Sequence, residues 1–361
     1  MIKVCHLSTA HKFHDIRIFR KECKSLVKVG YEVYFVVPAP SDMIEDGVKI
    51  VPIQVTPTKF RRAFLLPILA LKKSLSVKAD IYHFHDFELW PVALLLRFLG
   101  KKVIADVHED IPAQLLQRPW IPRPIRKPLS LIAKWFEDMS ARTMSAVVTV
   151  DASLVRRFSK VNSDVTMLEN FPLLQELPLS NKCDDTFKLV SLGGVLDERC
   201  ANTIIAASKG LPDVSIAIGG GISKRYSDLS WQTGNCRYLG YLSAQDALNE
   251  NVNADAILVM FSDQPNHLEI KSNRLYESMY ASKPIIVSSM SNWQAFIDKN
   301  ECGFSVDQTN PESLIDAIER LKNDKQLAQR LGKNGKQAVL ADYSWSSQEN
   351  KLFDLYKRVE R

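Results

Sequence analysis

Short, β-branched apolar runs that alternate with segments of helical period constrain this chain more than any other feature of its sequence. Ile2 to Leu7 is a strand-like run. From Ile16 to Val29, Phe19, Cys23, Leu26 and Val27 recur at helical spacing, and Gly30 closes that helix before Tyr31 to Val37, which Pro38 ends. A strand, a helix and a second strand predict a parallel sheet, because parallel neighbours need a crossover. Further strand candidates are Ile81 to His85, Val103 to His108, Ala146 to Val150 and Val165 to Leu168, with helices over Leu89 to Leu99 and Leu129 to Met144. The alternation fails from Glu169 to Asp185, where Asn170, Pro172, Pro178, Asn181 and Asp184-Asp185 read as a linker.

The rhythm then restarts with strands at Leu189 to Leu192, Val214 to Ile218, Ala256 to Phe261 and Pro284 to Val287. The intervening helices lie near Ala201 to Ser208 and Ala244 to Asn251, with a third ending near Ser282. Asn310 caps a further helix that has Pro311 in its first position, and an amphipathic helix runs from Ser346 to Val359. The expectation is an α/β protein of two doubly wound, Rossmann-like domains: an N-terminal domain over residues 1–170, a linker over 171–185 and a C-terminal domain over 186–345. The last helix, residues 346–361, is expected to cross back to the first domain.

With 361 residues, 46% of them apolar and 24% charged, the chain is long enough for two cores and excludes collagen, coiled coil and wholesale disorder. The apolar run Phe64 to Leu71 is far below the roughly 18–20 residues of a membrane span. Met1-Ile2-Lys3-Val4 lacks the pattern of a secretory signal, so a cytoplasmic location is expected. Six scattered cysteines without a Cys-x-x-Cys pair read as buried thiols. Residues 1–180 carry 26 Lys and Arg against 18 Asp and Glu, and the remainder 21 against 23, so an anionic partner is expected at the first half.

Ligands of open α/β sheets bind beyond the carboxyl ends of the strands, so the polar residues there are the candidates. No Gly-x-Gly-x-x-Gly follows the first strand, which argues against a dinucleotide enzyme; the loop carries His11, His14, Asp15 and then Arg17 instead. Asp15 is equally a helix cap. His83, His85, Asp86 and Glu88 cluster at one strand end, and Asp106, His108, Glu109 and Asp110 at the next. His83 and His85 have the two-residue spacing of metal ligands, but no third ligand is fixed by sequence; hydrogen bonding to a hydroxyl-rich ligand is favoured, with His108 the best single candidate. In the second half, Gly193 and Gly194 end a strand ahead of Arg199, and Gly219-Gly220-Gly221 repeats the arrangement; such glycines suit close approach of backbone to a phosphate, and the second group is equally a plain tight turn.

Glu269 and Glu277, separated by seven residues, bracket Lys271-Ser272-Asn273-Arg274-Leu275 and precede Ala281, Pro284 and Ile285-Ile286-Val287. This segment resembles the Glu-x7-Glu motif of the retaining glycosyltransferases of family four, also called glycosyltransferase group 1, of the polysaccharide-biosynthesis type. The resemblance extends through Asp15-Ile16-Arg17-Ile18, Lys21-Glu22, Gly30-Tyr31-Glu32-Val33, Asp106-Val107-His108-Glu109, Glu169-Asn170-Phe171-Pro172 and Tyr343-Ser344-Trp345.

The resemblance implies the GT-B fold, with an acceptor-binding first domain and a nucleotide-sugar-binding second domain facing a cleft. It implies that Glu269 and His108 are catalytic. Donor binding is expected at Glu277, Arg199, Arg274, Gly193, Gly194, Gly240, Tyr241, Asn273 and Leu275, and acceptor binding at His11, His14, Asp15, Arg17, His85 and Glu109, the first four as a polar wall of the cleft. Two departures are Gly194, where the family commonly has Arg, and the His11 to Asp15 stretch, where many relatives have glycines. No cofactor and no metal are implied; the donor, a UDP-sugar ahead of a GDP-sugar, is a substrate whose leaving diphosphate needs cations and N–H groups.

Lys59, Arg61, Arg62, Lys72 and Lys73 flank Phe64 to Leu69, and Arg118, Arg123, Arg126 and Lys127 accompany Trp120, Ile121 and Trp135. Such segments suit either an anionic inner-membrane surface or a solvated helix face. The expected activity is therefore transfer of a sugar to a glycan or polyprenyl-diphosphate-linked acceptor in bacterial surface polysaccharide assembly, O-antigen or capsule. A GT-B nucleotide-sugar epimerase and a non-enzymatic anionic-ligand-binding protein are the alternatives. No nucleic-acid module is recognisable.

Overall fold

The computed structural model describes residues 1–54, 59–118, 121–182, 185–264, 267 and 272–361, the side chains of 59–64 and 117 excepted. The chain divides into two compact units, Met1–Asn170 with Trp345–Arg361, and Phe171–Ser344.

In the first unit the strands are β1 (Lys3–Leu7), β2 (Glu32–Pro38), β3 (Met43–Glu45), β4 (Val48–Ile53), β5 (Ile81–Phe84), β6 (Lys102–Val107), β7 (Ala146–Thr149) and β8 (Val165–Met167). The helices are α1 (Lys24–Lys28), α2 (Lys59–Val77), α3 (Trp90–Phe98), α4 (Ile111–Gln117), α5 (Arg123–Thr143) and α6 (Ala152–Phe158). The sheet has eight strands in the order β3-β4-β2-β1-β5-β6-β7-β8, with only β3 antiparallel to its neighbour. β1, β5 and β7 are almost wholly buried, as strands covered on both faces must be.

The helix expected over Ile16 to Val29 is present in two pieces: a π-helical turn, Ile16–Cys23, runs into α1. Asp15 caps it, its Oδ1 accepting from Ile18 N at 2.8 Å. The π-turn sets Arg17, Lys21 and Glu22 inward among Ile18, Phe19 and Cys23, and π-turns of this kind are frequent at functional sites.

The second unit holds β9 (Phe187–Ser191), β10 (Val214–Gly219), β11 (Cys236–Gly240), β12 (Ala256–Val259), β13 (Ile285–Ser288) and β14 (Gly303–Val306), all parallel in the order β11-β10-β9-β12-β13-β14. Its helices are α7 (Ala201–Lys209), α8 (Ala244–Asn253), α9 (Asn273–Tyr280), α10 (Ser291–Asn300), α11 (Pro311–Asn323) and α12 (Lys325–Ala341). Asn310 caps α11 as its sequence predicts, accepting from Glu312 N at 3.0 Å. Residues 168–186 carry no regular element among the described residues.

The final helix, α13 (Trp345–Glu360), belongs to the first unit. Its Trp345, Leu352, Leu355, Tyr356 and Val359 are buried with Ile18, Phe19 and Leu26 against β1 and β2. Trp345 Nε1 donates to Ser25 Oγ at 2.9 Å, Ser25 donates to Glu349 at 2.7 Å, and Arg358 grips Asp164 through Nε and Nη2 at 3.1 and 2.7 Å. A helix with five core side chains and these polar ties is an integral layer of the first unit. No helix among the described residues is long and apolar enough to cross a membrane.

Candidate functional site

In the first unit, the loops after the adjacent strands β1, β5 and β6 enclose a cavity of about 310 Å³. It is lined by Ala10, His11, His85, Asp86, Glu88, Asp106, His108, Glu109, Arg118 and Glu137, among others. Asp86 ties the first loop down. Its Oδ2 accepts from Ser8 Oγ at 2.8 Å, Thr9 N at 2.6 Å and Ala10 N at 3.1 Å, and its Oδ1 lies 3.0 Å from His11 Nδ1. Burial alone would raise this carboxyl, but the hydrogen bond and charge of His11, with the Thr9 and Ser8 donors, outweigh it and hold Asp86 well below the usual carboxylate range. The same hydrogen bond, working against partial burial, raises His11. His11 therefore faces the cavity held against the Asp86 carboxylate, which favours its protonated form.

His108 stands beside it, the two rings 5.4 Å apart and edge-on. Burial lowers the His108 imidazole, Asp106 opposes that, and Arg17, His85 and His11 lower it further. Its Nδ1 is buried without a hydrogen-bond partner, 3.9 Å from Asp106 Oδ1. A neutral imidazole with an unspent nitrogen suits a ligand hydroxyl. Beneath the cavity, Arg17 holds Asp106 with two bonds, Nε to Oδ2 at 3.1 Å and Nη2 to Oδ1 at 3.0 Å, while His85 Nδ1 meets Oδ2 at 3.0 Å.

Of the side chains the sequence assigns to acceptor binding, the structure brings His11 and Glu109 to this cavity, buries His85 beneath it with both ring nitrogens spent on His6 and Asp106, and corrects three others. Arg17 is buried and spends its guanidinium on Asp106 and the Leu168 carbonyl, so it supports the floor. Asp15 is a helix cap, and His14 pairs with Glu45 at 3.4 Å outside the cavity lining. Sequence reasoning missed the clamping role of Asp86 and all of Glu137. Glu137 lies on α5, 2.8 Å from Arg157 Nη2, and burial pushes its carboxyl up to about 7. Only the amphipathic register of α5 hinted at it, placing Glu137 on the buried stripe with Ala133 and Ser140.

Among the described residues one group has the makings of a metal site: His6, Glu22, His83 and His85, all buried, with ligand atoms within 4.8 Å of one another. Two of its donors engage each other, His6 Nδ1 meeting His85 Nε2 at 2.9 Å, and Glu22 Oε1 lies 3.2 Å from Nε of Arg17, outside the group. A cation beside that guanidinium would meet like charge, so the set does not fit a metal.

In the second unit a cavity of about 280 Å³ opens over glycine turns at the carboxyl ends of β9 and β10. Gly193, Gly219, Gly220 and Gly221 form its floor, and Arg199, Arg274, Tyr241 and Leu242 its sides. The glycines are required by contact: Gly194 has φ +93°, and a Cβ there would meet Gly221 O at 2.5 Å. Gly194 N donates to Gly219 O at 2.9 Å and Gly220 N to Gly240 O at 2.8 Å, which locks the loops together. The Arg199 guanidinium lies 3.8 Å from the centre of the Phe261 ring. Burial lowers it, with Arg274 adding to that effect; arginine nonetheless stays charged at any physiological pH. Two guanidinium groups over an uncharged glycine floor make an anion site.

The structure thus brings Gly193, Arg199, Tyr241 and Arg274 into one cavity, with Gly194 and Gly240 bracing its floor. Tyr241 is 84% exposed, an aromatic face open to a ligand. Glu277 lies 3.7 Å from Arg274 on α9, beyond the cavity lining, and Asn273 opens the same helix. Leu275 is corrected: its side chain is fully buried in the apolar core under α9, so it has no surface for a donor. Glu269 lies outside the described residues, as do Lys271 and Trp120.

A family model described as Glycosyltransferase Family 4 matches residues 17–171, and one described as Glycosyl transferases group 1 matches residues 179–338. The chain is 18% identical to the glycogen synthase of Mycobacterium tuberculosis over 89% of its own length and 83% of that protein's. Among solved structures it resembles sucrose-phosphate synthase from Thermosynechococcus elongatus, at 16% identity, a TM-score of 0.73 and 99% coverage of both chains. It also resembles Alr3699/HepE from Anabaena, solved in complex with UDP-glucose, at 11% identity and a TM-score of 0.71, covering 99% of this chain and all of that one.

Proposed function

Since the chain is a glycosyltransferase of the GT-B fold, matched by family models in both halves, we propose that it moves a hexosyl group from a UDP-sugar to a hydroxyl of a lipid-linked glycan acceptor, with retention at the anomeric carbon. The observation that carries this reading is the pair Arg199 and Arg274 above the glycine floor of the second unit. A departing nucleoside diphosphate gathers negative charge on its phosphate oxygens, and preformed cations at that point lower the barrier without reorganising. Tyr241 offers a stacking face for the base, and Glu277, held near Arg274, is placed for ribose hydroxyls.

In the first unit, neutral His108 supplies a hydrogen bond to a sugar hydroxyl, and His11, whose protonated form Asp86 favours, faces developing negative charge. Glu269 is the proposed group facing the reacting carbon. No metal is needed for charge neutralisation, because the arginines provide it.

The lipid-linked acceptor is supported by α5. Ile125, Leu131, Ile132, Trp135 and Met139 are exposed away from its buried stripe and Leu129 is exposed at its edge, with Lys127 and Lys134 exposed on the other side. An amphipathic helix with aromatic and aliphatic residues outward and exposed cations lies in an anionic membrane surface. The protein would then act at the inner face of the cytoplasmic membrane, in surface polysaccharide assembly.

The test is incubation with radiolabelled UDP-glucose, UDP-galactose or UDP-N-acetylglucosamine and polyprenyl-diphosphate-linked sugars, reading label in the lipid phase and the anomeric configuration of the product. Label that enters lipid with the donor's anomeric configuration supports the reading. Turnover of UDP-sugar to its epimer without acceptor would replace it with an epimerase.

A further inference from the structure

The first unit contains a chain of buried hydrogen bonds that the proposed reaction does not use directly. It begins on α13 and ends at Asp106 in the floor of the cavity. Register brings it about: His6 on β1 sits directly beside His83 on β5, and His85, two residues on, shares the face of His83. Tyr356 of α13 closes over them. Its hydroxyl lies 2.8 Å from His83 Nδ1 and 3.2 Å from His6 Nε2; His6 Nδ1 lies 2.9 Å from His85 Nε2, and His85 Nδ1 lies 3.0 Å from Asp106 Oδ2.

Hydrogen-bond chemistry orients the whole chain. Asp106, gripped by Arg17, is an acceptor, so His85 carries a proton on Nδ1, and in the neutral imidazole its Nε2 is a lone pair. His6 must then donate from Nδ1, leaving Nε2 to accept from the Tyr356 hydroxyl. Tyr356 has one proton, so its oxygen accepts from His83 Nδ1, and the remaining His83 Nε2 is the nitrogen that lacks any partner. Every donor points toward Asp106. Chains aligned in one sense polarise one another, and each link depends on the next.

We propose that Tyr356 is a positioning residue for the sugar-transfer cavity: through His6 and His85 it fixes the carboxylate of Asp106, and through Asp106 the imidazole of His108. This rests on the reading of that cavity as the place of transfer. The remaining charged groups around the chain are compatible with neutral histidines. Glu22 Oε2 lies 3.9 Å from His85 Nε2 and 4.0 Å from His83 Nδ1, outside hydrogen-bonding distance. Burial, with the charge of Asp106, raises its carboxyl well above the usual range, against the opposing charge of Arg17. Burial likewise lowers His6 and His83, each further depressed by a neighbouring histidine.

Tyr356→Phe keeps the ring and removes the hydroxyl. His6 Nε2 loses its donor and becomes free to take a proton, so the acid limb of the pH–rate profile for kcat/KM should move up by about 0.5–1 unit, with kcat falling roughly tenfold. Leu355→Ala, one residue away and fully buried in the same helix, loosens packing without touching the chain; it should lower Tm and leave the limb in place.

A second readout needs no turnover. Long-range 1H–15N correlation spectra of the wild-type protein, which has seven histidines, should show His6 and His83 as neutral Nδ1–H tautomers between pH 6 and 8 and a proton on His85 Nδ1, with His6 titrating in Tyr356→Phe. Nε2–H tautomers, an imidazolium at His85, a stoichiometric metal on these nitrogens, or an unmoved limb in Tyr356→Phe would each overturn the proposal. Correct tautomers in a protein that transfers no sugar would instead fault the functional reading alone.

Discussion

Replacing Asp86 tests how the first loop is held, and the structure supplies the size of the effect. The carboxylate accepts from Ser8 Oγ, Thr9 N and Ala10 N at 2.8, 2.6 and 3.1 Å and pairs with His11 at 3.0 Å, at 6% residue exposure. Asp86→Ala strands two backbone N–H groups and leaves His11 without its counter-charge. Removing one partner of a buried charged cluster costs about 3–5 kcal/mol, which for a unit of this size lowers Tm by roughly 10 °C.

Asp86→Asn separates charge from hydrogen bonding, because an amide can keep the Thr9 and Ala10 bonds while His11 becomes neutral. Its deficit should therefore depend on pH. Asp86 is depressed in the folded protein, so its contribution is present above about pH 4 and lost as pH falls further. His11 is raised, so its contribution is present below about pH 6.5 and lost as pH climbs through the folded value. Urea unfolding at pH 5.5 and pH 9 reads this directly: the Asn deficit is expected to be larger at pH 5.5. Equal deficits at the two values, or an Ala variant within about 1 °C of wild type, would refute the clamp.

Glu137→Gln should flatten the dependence of stability on pH: the wild-type carboxyl titrates about 7 when folded, so the native state loses stability as pH rises from about 4.5 to 7, and the amide cannot; calorimetric scans across that range would show a missing slope. Gly194→Ala puts a Cβ 2.5 Å from Gly221 O at φ +93°, which should cost about 1–3 kcal/mol and weaken nucleotide binding, measured by denaturation and by titration. Ile132→Glu with Trp135→Glu on the exposed face of α5 should abolish co-sedimentation with phosphatidylglycerol vesicles at low salt while leaving Tm within about 2 °C, since both side chains already face solvent; retained sedimentation would remove α5 from the membrane reading.

The strands were legible wherever both faces are buried, because such strands are continuous apolar runs: β1, β5, β7 and β13 each lie within one residue of their expected bounds, and β12 starts as expected and ends two residues early. β3 and β4 escaped notice although Asp46-Gly47, with φ 50° and 81°, is a hairpin turn of the kind sequence can announce. α2 was hidden by Pro67 inside it, and β11 is an edge strand with an exposed Arg237, so neither gave a clean period. In the second unit the glycine turns were readable because each directly follows a strand, and Arg199 because it lies between such a turn and the helix after it.

The first unit's site was less so. The Asp86 clamp joins residues 77 apart, and the chain through His6, His85 and Tyr356 depends on strand register and on a helix about 270 residues downstream of β5. Spacing along one dimension does not encode such meetings. Arg17 was misread for the same reason: as a charged residue beside a polar loop it looked like a ligand contact, whereas the π-turn buries it against Asp106.

The central claim is that the second unit binds a nucleoside diphosphate through Arg199 and Arg274. Isothermal titration of the whole protein with UDP tests it most directly. The account predicts saturable binding that Arg199→Ala and Arg274→Ala each weaken by at least tenfold, or about 1.4 kcal/mol, and that His108→Ala leaves unchanged. Absence of UDP binding, or binding indifferent to both arginines, would contradict it.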